Sequence, residues 1–369
     1  MKDAIKAFWV DGDHLTTMLL LALLVAGSVM VRSATFGTKF AGLASRQTAW
    51  CFVAVAVYFV AVLVPYDIWL EYSYILYGFC VVVLLAVMVL GHSVAGSRSW
   101  LILGPVGFQP SELAKFASAL AGAGYIKDLS HKVIGFREFS ILSGIVALPM
   151  VLTLLQPDFG TATTFLPIIL AAFYLSRMTL GQILKWAGMA FVGLVVLFVL
   201  GWFTFFKPYQ KERISTFLNP STNIRGAGYQ VHQARIAVGS GELMGKGLYS
   251  GTQNRLSFLP APHTDFVFGV ISEETGFVGA ISLLLVFLAL LSRFLSTLLL
   301  ARDLEGRYLV CCAFSVILYH IFINVGMVIG LVPTTGIPLP FLSYGGSSLI
   351  GLTLFVGLAA NVRAHRFVR

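Results

Sequence analysis

Ten almost unbroken apolar runs divide this chain, at roughly 15–33, 47–64, 72–91, 111–127, 137–156, 160–177, 181–203, 266–292, 307–331 and 344–362. Each approaches the roughly 20 residues that a helix needs to cross a bilayer core. Within lipid the backbone must satisfy its own N–H and C=O groups, and a helix does so inside one segment. The expectation is an all-α, polytopic membrane protein, with one integral membrane domain over 1–369 built as a bundle of about ten transmembrane helices. Charged residues make up 11% of the chain and hydrophobic ones 58%, against about 25% charged in soluble domains.

The cations orient the bundle. With the N-terminus inside, the inner segments hold Lys2, Lys6, Lys127, Lys132, Arg137, Arg177, Lys185, Arg293, Arg302, Arg307, Arg363, Arg366 and Arg369, thirteen in all. The short outer loops hold only four, Arg32, Lys39, Arg46 and Arg98. Both termini are therefore expected in the cytoplasm. The net charge of +9 is scattered over short loops, which suits anionic lipid rather than nucleic acid. The first run, followed by Arg32-Ser33-Ala34-Thr35, loosely resembles a signal peptide. It is long for one and more spans follow, so a retained anchor is expected. Cys51, Cys80, Cys311 and Cys312 all lie in apolar runs without metal-binding spacing and read as small core residues.

Two segments break the pattern. Residues 204–265 form a large loop on the outer side, punctuated by Gly226, Gly228, Gly239, Gly241, Gly245 and Gly247. Loops of that length are uncommon unless functional. Val332 to Ser348 carries three prolines and three glycines in an apolar setting. Irregular backbone at membrane depth has to be buried in protein or line a cavity, so a re-entrant, cavity-lining loop is expected there.

Each charge near a span is either paired or in use. Asp265 is the last residue before the run that starts at Phe266, beside His263 and Thr264. It faces a loop rich in cations (Lys207, Lys211, Arg213, Arg225, Arg235, Lys246 and Arg255), with Arg46 and Arg98 on the same side. Guanidinium groups pair with phosphate oxygens in a bidentate manner, and a carboxylate at the aqueous boundary can serve as general base on a hydroxyl. A plain N-cap for the eighth helix is the alternative, and both can hold. Ser111 is a candidate N-cap for the fourth helix. Glu112 and Lys115, three apart, either neutralise each other or leave Lys115 to meet an anionic group. Asp158, in the turn from Gln156 to Thr161, either caps the sixth helix, pairs with Lys115 or binds a cation. Glu273, at i+8 from Asp265, is expected on nearly the same helix face, and Glu273 and Glu274 are otherwise ion-pair partners.

Taken together, His263-Thr264-Asp265-Phe266, Pro333 to Ser348, Phe108 to Lys115 and Gln156 to Thr161 closely resemble the SEDS family of bacterial cell-wall proteins, which includes RodA and FtsW. The resemblance spans nearly the whole chain and is weakest in the first fifteen residues. Gly226 to Gln230 and Ile236 to Gly247 look like the elongation branch. Pro262 departs from the ionisable residue common in the family, and Thr275 from the usual Leu.

This resemblance implies a ten-helix bundle in the bacterial cytoplasmic (inner) membrane. It implies a peptidoglycan glycosyltransferase that polymerises lipid II during cell elongation, partnered by a class B penicillin-binding protein, the transpeptidase. The family's essential aspartate maps onto Asp265, and its other important positions onto Arg46, Glu112, Lys115 and Asp158. Arg98, His263, Glu273 and Ser343 complete the expected substrate-binding set. No cofactor is assigned, and a divalent cation is left open. A lipid-linked sugar flippase is the rival, since intramembrane charges and broken helices also suit transporters. A non-catalytic scaffold for the transpeptidase is the third alternative.

Overall fold

The computed structural model describes residues 13–38, 40–94, 97–104, 106–129, 133–177, 227–256 and 261–366, together with isolated positions elsewhere. The expected span at 181–203 and the first part of the 204–265 loop lie almost wholly outside the described residues. In chain order the elements are α1 (His14–Thr35), α2 (Gly42–Leu63), α3 (Tyr66–Glu71) and α4 (Ser73–Leu90). A small antiparallel ribbon follows, β1 (His92–Val94), β2 (Ser97–Leu103) and β3 (Val106–Phe108). Then come α5 (Pro110–Asp128), α6 (Phe136–Leu155), α7 (Phe159–Thr163), α8 (Leu166–Leu175), α9 (Ala227–Ser240) and α10 (Thr252–Arg255). The chain closes with α11 (Val267–Leu300), α12 (Leu304–Ile329) and α13 (Gly346–Ala364).

The protein is a multi-pass membrane protein of all-α architecture. Among the described residues seven helices are long and apolar enough to cross a bilayer: α1, α2, α4, α6, α11, α12 and α13. Two expected spans differ in kind from these. α5 is rich in Ala, Gly and Ser and is buried along nearly its whole length, including Lys115 and Glu112. Small residues let neighbouring backbones approach closely, so α5 is solvated by α4, α6, α12 and α13 rather than by lipid. The span expected at 160–177 is two pieces, α7 and α8, with Pro167 in the first turn of α8. Pro167 has no N–H to donate back to Thr163, the last residue of α7, which interrupts the helical ladder at that point. The ribbon, in order β1-β2-β3 with Leu101 opposite Phe108 and Leu103 opposite Val106, was not anticipated.

Helix ends in the bundle are closed by side chains. Asn361 of α13 donates to the carbonyls of Ala61, Val62 and Val64 at 2.9, 2.8 and 2.6 Å, and its Oδ1 accepts the Tyr66 N–H at 3.1 Å. The open end of α2 and the start of α3 are thereby satisfied together. Asp13 caps α1 and pairs with Arg293 at 2.9 Å and Arg363 at 3.7 Å, tying α1 to α11 and α13. Arg235 of α9 donates to the last carbonyls of α12, Ile329 and Gly330, both at 3.1 Å.

The expected eighth span runs on to Leu300 and is broken at Gly276, with φ 67° and ψ −167°. The break frees carbonyls on one side and N–H groups on the other, and the preceding loop satisfies both. Lys246 N and Gly247 N donate to Glu273 O and Glu274 O at 3.0 and 2.9 Å. Phe277 N and Val278 N donate to Glu242 O and Leu243 O at 2.8 and 3.1 Å. A β-carbon on Gly276 would lie 2.3 Å from Gly245 N and 2.6 Å from Leu243 O. Only glycine fits both the backbone angle and the space.

Gly276→Ala is therefore expected to undock this loop. Backbone strain alone costs about 1–3 kcal/mol, so the Tm of the full chain in detergent should fall well below that of the unmodified protein. Gly144→Ala, in a helix where an added β-carbon meets nothing within 4 Å, should leave Tm unchanged or raise it. Equal effects at the two positions would show that the break is not locked by its loop.

Candidate active site

Asp265 sits at the end of a turn, not inside a helix. α11 begins at Val267 with Phe266 in the capping position, so the capping role allowed for Asp265 belongs to its neighbour. Likewise Gln109, not Ser111, occupies the cap of α5, with Pro110 first in the helix. The segment 263–265 is held from behind by the re-entrant loop. Tyr344 N donates to His263 O at 2.7 Å, and Ser343 Oγ donates to Thr264 O at 2.6 Å while accepting Leu339 N at 2.8 Å. Asn324 of α12 donates to Asp265 O at 2.9 Å and to Ile337 O at 2.8 Å. Ser343, expected to touch substrate, is thus 4% exposed and spends its hydroxyl on two backbone groups.

In front of this wall lies a cavity of about 620 Å³ lined by Asp265, His263, Arg46, Trp50, Trp100 and Gln109, with Gly336 and Pro338 of the re-entrant loop. A β-carbon on Gly336 would stand 3.5 Å from Asp265 Oδ2, so the loop runs directly beside the carboxylate. Gln109 links the cavity to the 156–161 turn: its Nε2 donates to Asp158 Oδ2 at 3.0 Å and Thr161 Oγ1 at 3.1 Å. Asp158 also accepts Thr161 N at 3.2 Å and so caps α7, as the sequence suggested. A β-carbon on Gly160 would stand 2.3 Å from Thr335 O, so this turn packs against the re-entrant loop with no room to spare.

Six of the nine expected site residues fall into three groups. Arg46, His263 and Asp265 share the cavity. Arg98 is exposed on β2 outside the cavity lining, and its N–H donates to Gln156 O at 3.1 Å. Glu112 and Lys115 form a buried pair at 3.0 Å, and Lys115 Nζ also lies 3.3 Å from His320 Nε2.

Glu273 does not stand in a column with Asp265. The helix starts too late to carry both acids in one register. Glu273 is fully buried, its Oε1 2.6 Å from Lys246 Nζ and accepting Thr252 N, Thr252 Oγ1 and Gln253 N at 2.8, 2.9 and 3.2 Å. Glu274 accepts from Ser33 Oγ at 2.7 and 2.6 Å, which joins α1 to the same cluster. Both glutamates serve the docked loop. Among the described residues no group of three His, Cys, Asp or Glu is arranged to hold a metal ion.

Sequence reasoning missed Asn324, His320, Gln109 and the two tryptophans. For His320 and Asn324 a signal existed: polar residues at i and i+4 in an otherwise apolar span, which the cost of intramembrane polarity singles out. For Trp50 and Trp100 there was none, since aromatic residues abound in this chain.

A bundle of apolar helices with a carboxylate and a guanidinium facing one aromatic-walled cavity defines an integral membrane protein with a built polar site. The profile of the cell cycle protein family FtsW, RodA and SpoVE matches residues 13–367, and the chain belongs to that family. It is 35% identical to the peptidoglycan glycosyltransferase MrdB of Escherichia coli (strain K12) over 367 residues, covering 98% of this chain and 96% of that one. It is also 35% identical to stage V sporulation protein E of Bacillus subtilis (strain 168), over 96% of this chain and 97% of that one. The crystal structure of the Thermus thermophilus rod shape determining protein RodA superposes with a TM-score of 0.71 at 26% identity, over 98% of this chain and 99% of that one. A chain from a structure of a peptidoglycan synthase complex gives 0.81 at 28% identity, over 98% and 100%.

His263 stands between the rings of Phe40 and Tyr344, at 5.1 and 6.0 Å, and its buried Nδ1 has no hydrogen-bond partner among the described residues. Burial pushes its pKa below the ordinary value of 6.5. The unfolded chain then takes up this proton more readily than the folded one. The contribution to stability is complete above the unfolded value and is lost as pH falls below it. Between about pH 7.5 and about pH 5.5 the Tm of His263→Gln should drop less than that of the unmodified protein. Identical drops would remove His263 from the acid response.

Proposed function

We propose that this protein is a peptidoglycan glycosyltransferase that polymerises lipid II, the undecaprenyl-diphosphate-linked disaccharide peptide, with Asp265 as its general base. The observation that carries this reading is the meeting of Asp265 and Arg46 in one cavity walled by Trp50 and Trp100. A carboxylate, a phosphate-binding guanidinium and aromatic faces are what a sugar diphosphate and an incoming hydroxyl require. The 4-hydroxyl of GlcNAc on the acceptor would attack C1 of MurNAc on the donor. Asp265 takes the hydroxyl proton, the new O–C1 bond forms, and the bond from C1 to the diphosphate breaks with its electron pair leaving on undecaprenyl diphosphate. One displacement inverts the α linkage to β. Arg46, the cation in the cavity lining, stabilises the charge of the leaving group.

The names of the relatives support the activity, since MrdB is a peptidoglycan glycosyltransferase. The elongation role rests on the loop resemblance over Gly226 to Gly247. A class B penicillin-binding protein is the proposed partner, supported by the similar chain found within a peptidoglycan synthase complex. Lys115 and Glu112, buried beneath the re-entrant loop, act on the site from behind, while Asp158 and Ser343 hold its walls. The whole of 1–369 is read as one integral membrane domain in the bacterial cytoplasmic membrane, with both termini inside.

Orientation is open to direct labelling, because all four native cysteines are buried. In cells an impermeant thiol reagent should mark Met244→Cys, at a position 78% exposed, from outside. His131→Cys should react only after permeabilisation. The reverse at either site overturns the topology.

Asp265→Asn tests the chemistry. It keeps size and polarity but removes the basicity that takes the hydroxyl proton. The purified variant, with or without the transpeptidase, should lose about 10²–10⁴-fold in glycan formation from fluorescent lipid II. Near-normal polymer from the Asn variant would require another base. Movement of lipid II between leaflets without polymer, in the unmodified protein, would identify a flippase instead.

A further inference from the structure

α12 carries two fully buried polar side chains one turn apart, His320 and Asn324. Neither lines the cavity, yet both grip the backbone that does. Asn324 Nδ2 faces two carbonyl oxygens, Asp265 O at 2.9 Å and Ile337 O at 2.8 Å. A carbonyl only accepts, so the amide orientation is fixed by chemistry and both its hydrogens are committed. His320 Nδ1 faces the next carbonyl of the same loop, Pro338 O, at 3.2 Å. By the same logic Nδ1 carries the proton and Nε2 is left as the acceptor. Lys115 Nζ, 3.3 Å from Nε2 and 3.0 Å from Glu112 Oε1, is the matching donor. The buried pair on α5 therefore selects the tautomer of a histidine on α12, and that histidine holds a wall of the cavity.

We infer that His320 and Asn324 are positioning residues, which set the separation between the Asp265 carboxylate and the re-entrant loop at Gly336–Pro338, with Glu112 and Lys115 locking His320 in its working tautomer. This rests on the reading of the cavity as the glycosyl-transfer site. The loop needs such a clamp. Three prolines between 333 and 340 remove backbone donors, the loop makes few bonds to itself, and its carbonyls lie in apolar surroundings where they need partners. Asn324 joins the two sides of the carboxylate with one group, and His320 extends the seam by one residue.

Two substitutions separate the two ring nitrogens. His320→Asn retains a donor where Nδ1 stood, and so keeps Pro338 O satisfied while Lys115 loses its acceptor. His320→Gln retains an acceptor towards Lys115 and loses the donor to Pro338 O. Glycan formation from fluorescent lipid II is measured with the purified full chain, along with Tm and Asp265→Asn as the reference. Misplacement of a reacting group by about 1 Å costs about 10²-fold. His320→Gln should therefore lose about that much in kcat with KM within about twofold, and His320→Asn should recover most of the loss. Full activity in His320→Gln overturns the inference, as do equal losses in both variants that track an equal fall in Tm. Failure of both variants to fold also overturns it, because the seam is then a packing element. If Asp265→Asn is itself active, the assignment of the site fails. If Asp265→Asn is dead while His320→Gln is fully active, only the positioning role does.

Discussion

Irregular backbone inside an apolar bundle has to find its hydrogen bonds in the protein, and this constraint organises the whole architecture. The clearest case is the break at Gly276. Four backbone bonds from residues 242, 243, 246 and 247 replace those the helix cannot make. An unsatisfied backbone group in a dry environment costs on the order of 1–3 kcal/mol, so a broken helix without this loop would not persist. The loop in turn is fastened by buried acids: Glu273 binds Lys246 and the start of α10, and Glu274 binds Ser33 of α1. The short leading half of α11, which ends in the Asp265 turn, is consequently held at its far end.

The re-entrant loop obeys the same constraint by other means. Ser343, Asn324 and His320 each supply side-chain bonds to backbone that proline and glycine have left without regular partners. Ser343 and Asn324 also hold the 263–265 segment. Catalysis by positioned charge depends on groups that need not reorganise, and a carboxylate on an exposed turn would reorganise freely. Here the turn is stitched to α12 and to the re-entrant loop through His263, Thr264 and Asp265 in succession.

Much of this was legible in the residues alone. Apolar runs gave the helices because their length is dictated by the bilayer, and the Pro/Gly segment was readable as cavity-lining because no regular element can hold it. Asp265 stood out through its position at the mouth of a span. What escaped was tertiary in origin. The i+8 argument for Glu273 presumed one continuous helical register from 265 to 273. The helix starts at Val267, and the docked loop takes Glu273 for itself. α5 reads as a span in the sequence, and its Ala, Gly and Ser content is the mark of its enclosure, one that apolar run length alone passes over. In the ribbon carrying Trp100, two strands have three residues each, too few for alternation to be seen, and Ser97–Leu103 does not alternate polar with apolar residues.

α13 is the most enclosed of the long helices, sheathed by α1, α2, α5, α11 and α12. It also follows in sequence every one of the helices that sheathe it. Each helix of that sheath is therefore synthesised before α13, and so are the ends of α2 and α3 that Asn361 closes. A bundle deprived of α13 would lose the helix that its neighbours pack around rather than one at its edge.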